Sequence, residues 1–92
     1  MFLFLLLTTV PNFDEAIVAT SLTPAAQVLV EEAQELMNDN QYREAEKVLR
    51  KADKVQPDSA LINRMLGDVN VKLNKPSVAK KFYKKAAELE NN

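Results

Sequence analysis

The chain has 92 residues, 47% hydrophobic and 27% charged, which is room for one small globular domain and excludes a large two-substrate enzyme. It contains no histidine, no cysteine, no tryptophan and one glycine, so zinc fingers, disulfide scaffolds, Cys or His nucleophiles and Gly-rich phosphate loops lose their essential residues. The formal charge of −1 is a cancellation: residues 1–42 carry six acids and no base, residues 43–92 carry seven acids and all twelve bases. Such a polarity reads either as two solvated faces that differ, or as opposite fields that steer head-to-tail or partner association. With one glycine and four prolines there are few turns for a sandwich or barrel, and helices are favoured.

The first element is an apolar leader. Met1 to Pro11 reads MFLFLLLTTVP, far short of the roughly 18 to 20 residues that span a bilayer as a helix. It resembles the apolar core of a secretory signal, with Ala19 and Ser21 at the −3 and −1 places of a cut after Ser21. It also departs from one: the first basic residue is Arg43, and Asp14 and Glu15 interrupt the approach to the cleavage site. Two alternatives stay open, an export signal or a retained segment that packs on the domain or contacts a membrane through residues 1–10. Localisation is open with them, exported or membrane-associated as readily as cytoplasmic. Residues 1–22 are thus leader and connector, and 23–92 the folded domain.

From there the chain repeats itself. Ala26 recurs as Ala60, Asn40 as Asn74, Ala45 as Ala79, Leu49 as Tyr83 and Ala52 as Ala86, every pair 34 apart. Thr23-Pro24 caps a first helix, about 24–38, with Val28, Leu29, Ala33, Leu36 and Met37 at helical spacing. Asn38-Asp39-Asn40 ends it, since Asn readily takes the left-handed conformation. A second helix carries Tyr42, Ala45, Val48, Leu49, Ala52 and Val55 on one stripe. Pro57 pushes Gln56 out of the α region, and Asp58 or Ser59 caps a third helix, about 59–73, with Leu61, Ile62, Met65, Leu66, Val69 and Leu73 inward. After Asn74, Pro76 opens a fourth with Val78, Ala79, Phe82, Tyr83, Ala86 and Leu89. The expected fold is all-α: two helix-turn-helix units, four antiparallel helices, with repeat 1 at about 26–59 and repeat 2 at about 60–92.

This pattern resembles the tetratricopeptide repeat, a 34-residue helix-turn-helix unit. With Pro57 at the family's proline, Leu29, Ala33 and Leu36 match its helix A, and Tyr42, Ala45, Leu49 and Ala52 its helix B. Leu66-Gly67, Ala79, Tyr83 and Ala86 repeat the match, while Asn63, Asn70 and Pro76 depart from the large or aromatic residues usual there. The small residues allow close helix approach and the large ones fill the gaps.

Enzyme readings lack parts. No histidine supports Ser21, Ser59 or Ser77 as a nucleophile, and Glu31, Glu32 and Glu35 read as a solvated face with no further metal ligand nearby, so neither catalytic residues nor cofactor are expected. Lys80, Lys81, Lys84 and Lys85 form a basic quartet opposite an apolar stripe, without aromatic platform, and no nucleic acid is expected as partner. The resemblance implies a concave groove lined by helix A: Gln27, Val30, Glu31, Gln34, Met37 and Asn38, then Leu61, Arg64, Met65, Asp68, Val71 and Lys72. Its apolar centre of Val30, Met37, Met65 and Val71 suits an amphipathic helix or apolar peptide, although packing is the alternative role for the two methionines. The family's clamp for carboxylate termini needs Lys and Asn where Val30, Gln34 and Met65 stand, which disfavours that ligand. The expected function is a noncatalytic protein-interaction module, with an exported or membrane-attached scaffold as alternative. Two repeats leave an end open, so Val78, Phe82 and Ala86 are expected to be partly uncovered, and a homo-oligomer is one way to cover them.

Overall fold

The computed structural model describes residues 22–91. The leader, its proposed cut after Ser21 and its membrane contact lie outside the described residues. What remains is four helices: α1 (Pro24–Asn38), α2 (Tyr42–Val55), α3 (Ala60–Lys72) and α4 (Pro76–Glu90). Packing is most extensive within the pairs α1/α2 and α3/α4, and α2 against α3 joins the two hairpins. Among the described residues there is no strand and no helix long and apolar enough to cross a membrane.

Each helix begins and ends where local chemistry dictates. The Thr23 hydroxyl accepts from the Ala26 N–H at 3.2 Å, and the Ser59 hydroxyl accepts from the Ile62 N–H at 3.2 Å. Such caps satisfy a backbone donor left over at the helix start and stabilise by about 1 kcal/mol each. Asp58, the other candidate cap, instead takes φ 65° in the turn before Ser59. Gln56 sits at φ −137°, ψ 85°, outside the helical region as the following proline requires.

The two hairpin turns are copies of each other. Asn40 and Asn74 have φ 63° and 62°, in the left-handed region. Around them, the Gln41 N–H donates to the Leu36 carbonyl and the Lys75 N–H to the Asn70 carbonyl, both at 2.8 Å. Asn40 and Asn74 donate one residue further on, to Met37 and Val71, each at 3.0 Å. This is the Schellman arrangement, with Asn in the place Gly usually fills. A third tie closes the first unit, where the Thr23 N–H donates to Gln56 Oε1 at 2.6 Å and fastens the start of α1 to the α2–α3 connector.

The core runs through both units. Leu22, Ala26, Ala33, Ala45, Val48, Leu49, Ala52, Ile62, Met65, Leu66 and Val69 form one buried cluster, flanked by Leu29, Val30, Leu36, Met37, Tyr42, Leu61 and Phe82. Three residues expected on apolar stripes are instead exposed: Val28 at 63%, Val55 at 47% and Tyr83 at 38%. Their spacing is right for the helix, but no neighbouring helix covers that side among the described residues. Ala86, expected to be partly uncovered, is buried, whereas Val78 and Phe82 are half-buried.

Candidate functional site

Eleven of the twelve helix A residues fall into three groups. Gln27, Glu31, Gln34 and Asn38 form an outward polar row on α1, tied along the helix by Gln27 to Glu31 at 3.4 Å and Gln34 to Asn38 at 3.0 Å. Val30, Met37 and Leu61 are half-buried, resting on the core with one side toward solvent. On α3, Arg64, Asp68, Val71 and Lys72 are exposed, and Val71 stands out as a large apolar side chain at 51% exposure.

Met65 leaves the groove. At 6% exposure it belongs to the core cluster, so packing is the role the structure gives it. Its counterpart one repeat earlier is Glu31, which is exposed. Met37 keeps both roles, touching the core while showing one side to solvent.

Two of the charged groove residues of α3 are engaged by α4, while the third, Lys72, lies 5.9 Å over the Tyr42 ring of α2. Arg64 pairs with Glu90, and Asp68 accepts a 2.5 Å hydrogen bond from the Tyr83 hydroxyl. Gly67 makes the second contact possible: a Cβ there would stand 2.5 Å from Tyr83 Cε1 and 2.7 Å from Cδ1, so the ring lies directly over the missing side chain. The bond to Asp68, desolvation and the carboxylate's charge together push the Tyr83 hydroxyl up to about 12. Sequence reading matched Tyr83 to Leu49 as a large packing residue. What it missed is that Tyr83 folds back over its own helix pair, a feature signalled only by Leu66-Gly67 opposite it.

A second concavity lies elsewhere. Arg43, Glu46, Lys47, Leu73 and Lys75 line a cleft of about 210 Å³ between the start of α2 and the α3–α4 turn. None of the groove residues reaches it, and Glu46 is held by Arg50 at 3.2 Å. The acidic residues of α1 do not assemble a metal site: among the described residues no group of three or more His, Cys, Asp or Glu is placed to hold an ion. The four lysines of the basic quartet are all exposed, with Lys85 reaching Asp58 at 3.5 Å.

Helical hairpins stacked in register, with matching turns and a shared core, define an α-solenoid segment built of repeats. The family model described as tetratricopeptide repeat matches residues 26–59 and 65–92, more than half of the chain. The chain belongs to the tetratricopeptide repeat family, which marks it as a protein–protein interaction module. The second match begins beyond Asn63, one of the positions that departs from the repeat's usual residues. Set against curated proteins and against solved structures, the chain finds no match.

Proposed function

We propose that this chain is a noncatalytic adaptor that binds an amphipathic helix or an extended apolar peptide along the outward side of its A helices, α1 and α3. The observation that carries the reading is Val71: a half-exposed valine on α3 at the position one repeat after Met37, which itself shows one side to solvent. Val30 extends the apolar strip two turns further along α1, and Gln34, Asn38 and Lys72 border it with groups able to orient a peptide backbone. Arg64 and Asp68 are occupied by α4 and serve as a fixed edge rather than as the floor of the site.

Selection of a random peptide library on the immobilised full-length chain supplies a defined ligand for the test. Peptides so selected are expected to carry apolar anchors at helical or alternate spacing. The Val71→Glu variant, still helical by circular dichroism, is expected to bind them at least tenfold more weakly, a loss of about 1.4 kcal/mol. Undiminished binding by this variant would remove the groove assignment.

A further inference from the structure

The two repeats share one backbone pattern but differ in surface, and the differences fall at opposite ends of the stack. In α3, Ile62, Met65, Leu66 and Val69 are all buried. One repeat earlier, the same stripe of α1 reads Val28, Glu31, Glu32 and Glu35, all exposed. Both helices pack against their own partner in the same way, so the extra burial in α3 comes from the hairpin that precedes it. On α1 that receiving face is acidic and, among the described residues, uncovered.

The other end is the converse. On α2, Glu46 and Asp53 are half-buried and Leu49 is fully buried, in a fold where α3 packs against this helix. The corresponding residues of α4 are Lys80, Ala87 and Tyr83, all exposed, with Lys84 alongside. Polar ends of either sign keep a repeat stack soluble. Opposite signs do something more, because they make the two ends complementary.

We propose that copies of this chain associate head to tail, the acidic face of α1 in one copy seating on the basic face of α4 in the next, in the register that already joins α3 to α2. In that register the α1 face of Val28, Glu32 and Glu35 lies against the α4 face of Lys80, Tyr83, Lys84 and Ala87. The unequal distribution of charge along the chain, all acid up to residue 42 and every base after it, becomes the steering field for this contact. The interface is heterologous, so it builds rows or rings of copies instead of a two-fold symmetric dimer. Because its charges are exposed, salt weakens it.

The test is sedimentation velocity of the full chain over a concentration series, at low salt and in about 1 M salt, where the Debye length is ~3 Å. The wild-type protein is expected to sediment faster as concentration rises at low salt and to return to monomer at high salt. Glu32→Lys/Glu35→Lys and Lys80→Glu/Lys84→Glu, each alone, are expected to stay monomeric. An equal mixture of the two is expected to associate, since every reversed face then has a reversed partner. A wild-type chain that is monomeric at low salt at every concentration overturns the proposal. So does association that survives both reversals, which would assign it to another surface such as residues 1–21. Should a reversal lower helicity, Glu32→Gln/Glu35→Gln and Lys80→Gln/Lys84→Gln replace it, and undiminished association in both overturns the proposal equally. None of these four residues belongs to the helix A groove, so selected peptides should bind the variants as they bind the wild type, and each reading can fail alone.

Discussion

Tyr83 stands where the first repeat has Leu49, and the contrast shows how one position does two jobs. Leu49 is fully buried, with another hairpin packed beyond it, and its burial contributes about 1.5–3 kcal/mol. Tyr83 has no such cover among the described residues and remains 38% exposed. It turns over Gly67, where any side chain would collide with the ring, and gives its proton to Asp68 as a hydrogen-bond donor. Since the hydroxyl's pKa is raised from 10.0 to about 12, this contact stabilises the fold fully below pH 10 and is lost as the pH climbs from 10 through 12. Tyrosinate absorbance in a Tyr42→Phe background, which leaves Tyr83 as the one tyrosine, is expected to show a midpoint well above 10 that falls back toward 10 in a further Asp68→Ala variant. A midpoint near 10 with Asp68 intact would show that the bond does not form in solution.

At the scale of the helix, the ends were legible and the faces only partly so. Thr23-Pro24, Asn40, Pro57, Ser59, Asn74 and Pro76 act through their own backbone and nearest neighbours, so their meaning survives without knowledge of the fold. Val28, Val55 and Met65 do not work that way: each lies at a correct helical spacing, and only the neighbouring hairpin, present or absent, determines whether it is covered. Asn63 and Asn70 are the strongest case. Sequence marks them only as departures from the repeat's large residues, and both are buried, their amides donating back to the Ser59 and Leu66 carbonyls at 2.8 and 2.7 Å. Asn70 retains a buried Oδ1 with no hydrogen-bond partner, at a cost on the order of 1–3 kcal/mol. Asn70→Leu keeps the branching of the side chain and removes the stranded oxygen. It is expected to raise stability by about 1 kcal/mol, read as a higher urea midpoint at unchanged slope. A lower midpoint would mean that the amide's bond to Leu66, or the space around it, matters more than the unsatisfied atom.

For the molecule as a whole, the question is whether two hairpins behave as one folding unit. In a repeat stack, stability is approximately the sum of each unit's own stability and the interface between neighbours, and neither hairpin here has a second neighbour among the described residues. The α2–α3 interface therefore couples everything, reinforced by the Thr23–Gln56 bond at one edge and by the Lys85–Asp58 pair at the same connector. Ile62 probes it best: it is fully buried, while Val28, its equivalent in the helix that lacks a preceding hairpin, is largely exposed. The side chain's burial is thus owed to the other unit. Ile62→Ala is expected to cost about 2–5 kcal/mol, a large share of what a domain this small possesses. Because the lost contact lies between the units, the loss should reach both of them. Urea unfolding followed by tyrosine emission in Tyr83→Phe and Tyr42→Phe backgrounds reports the first and second hairpins separately, and both midpoints are expected to fall together in Ile62→Ala. If only the second hairpin weakened while the first kept its wild-type midpoint, the units would be independent. The shared core would then be a contact without cooperative consequence.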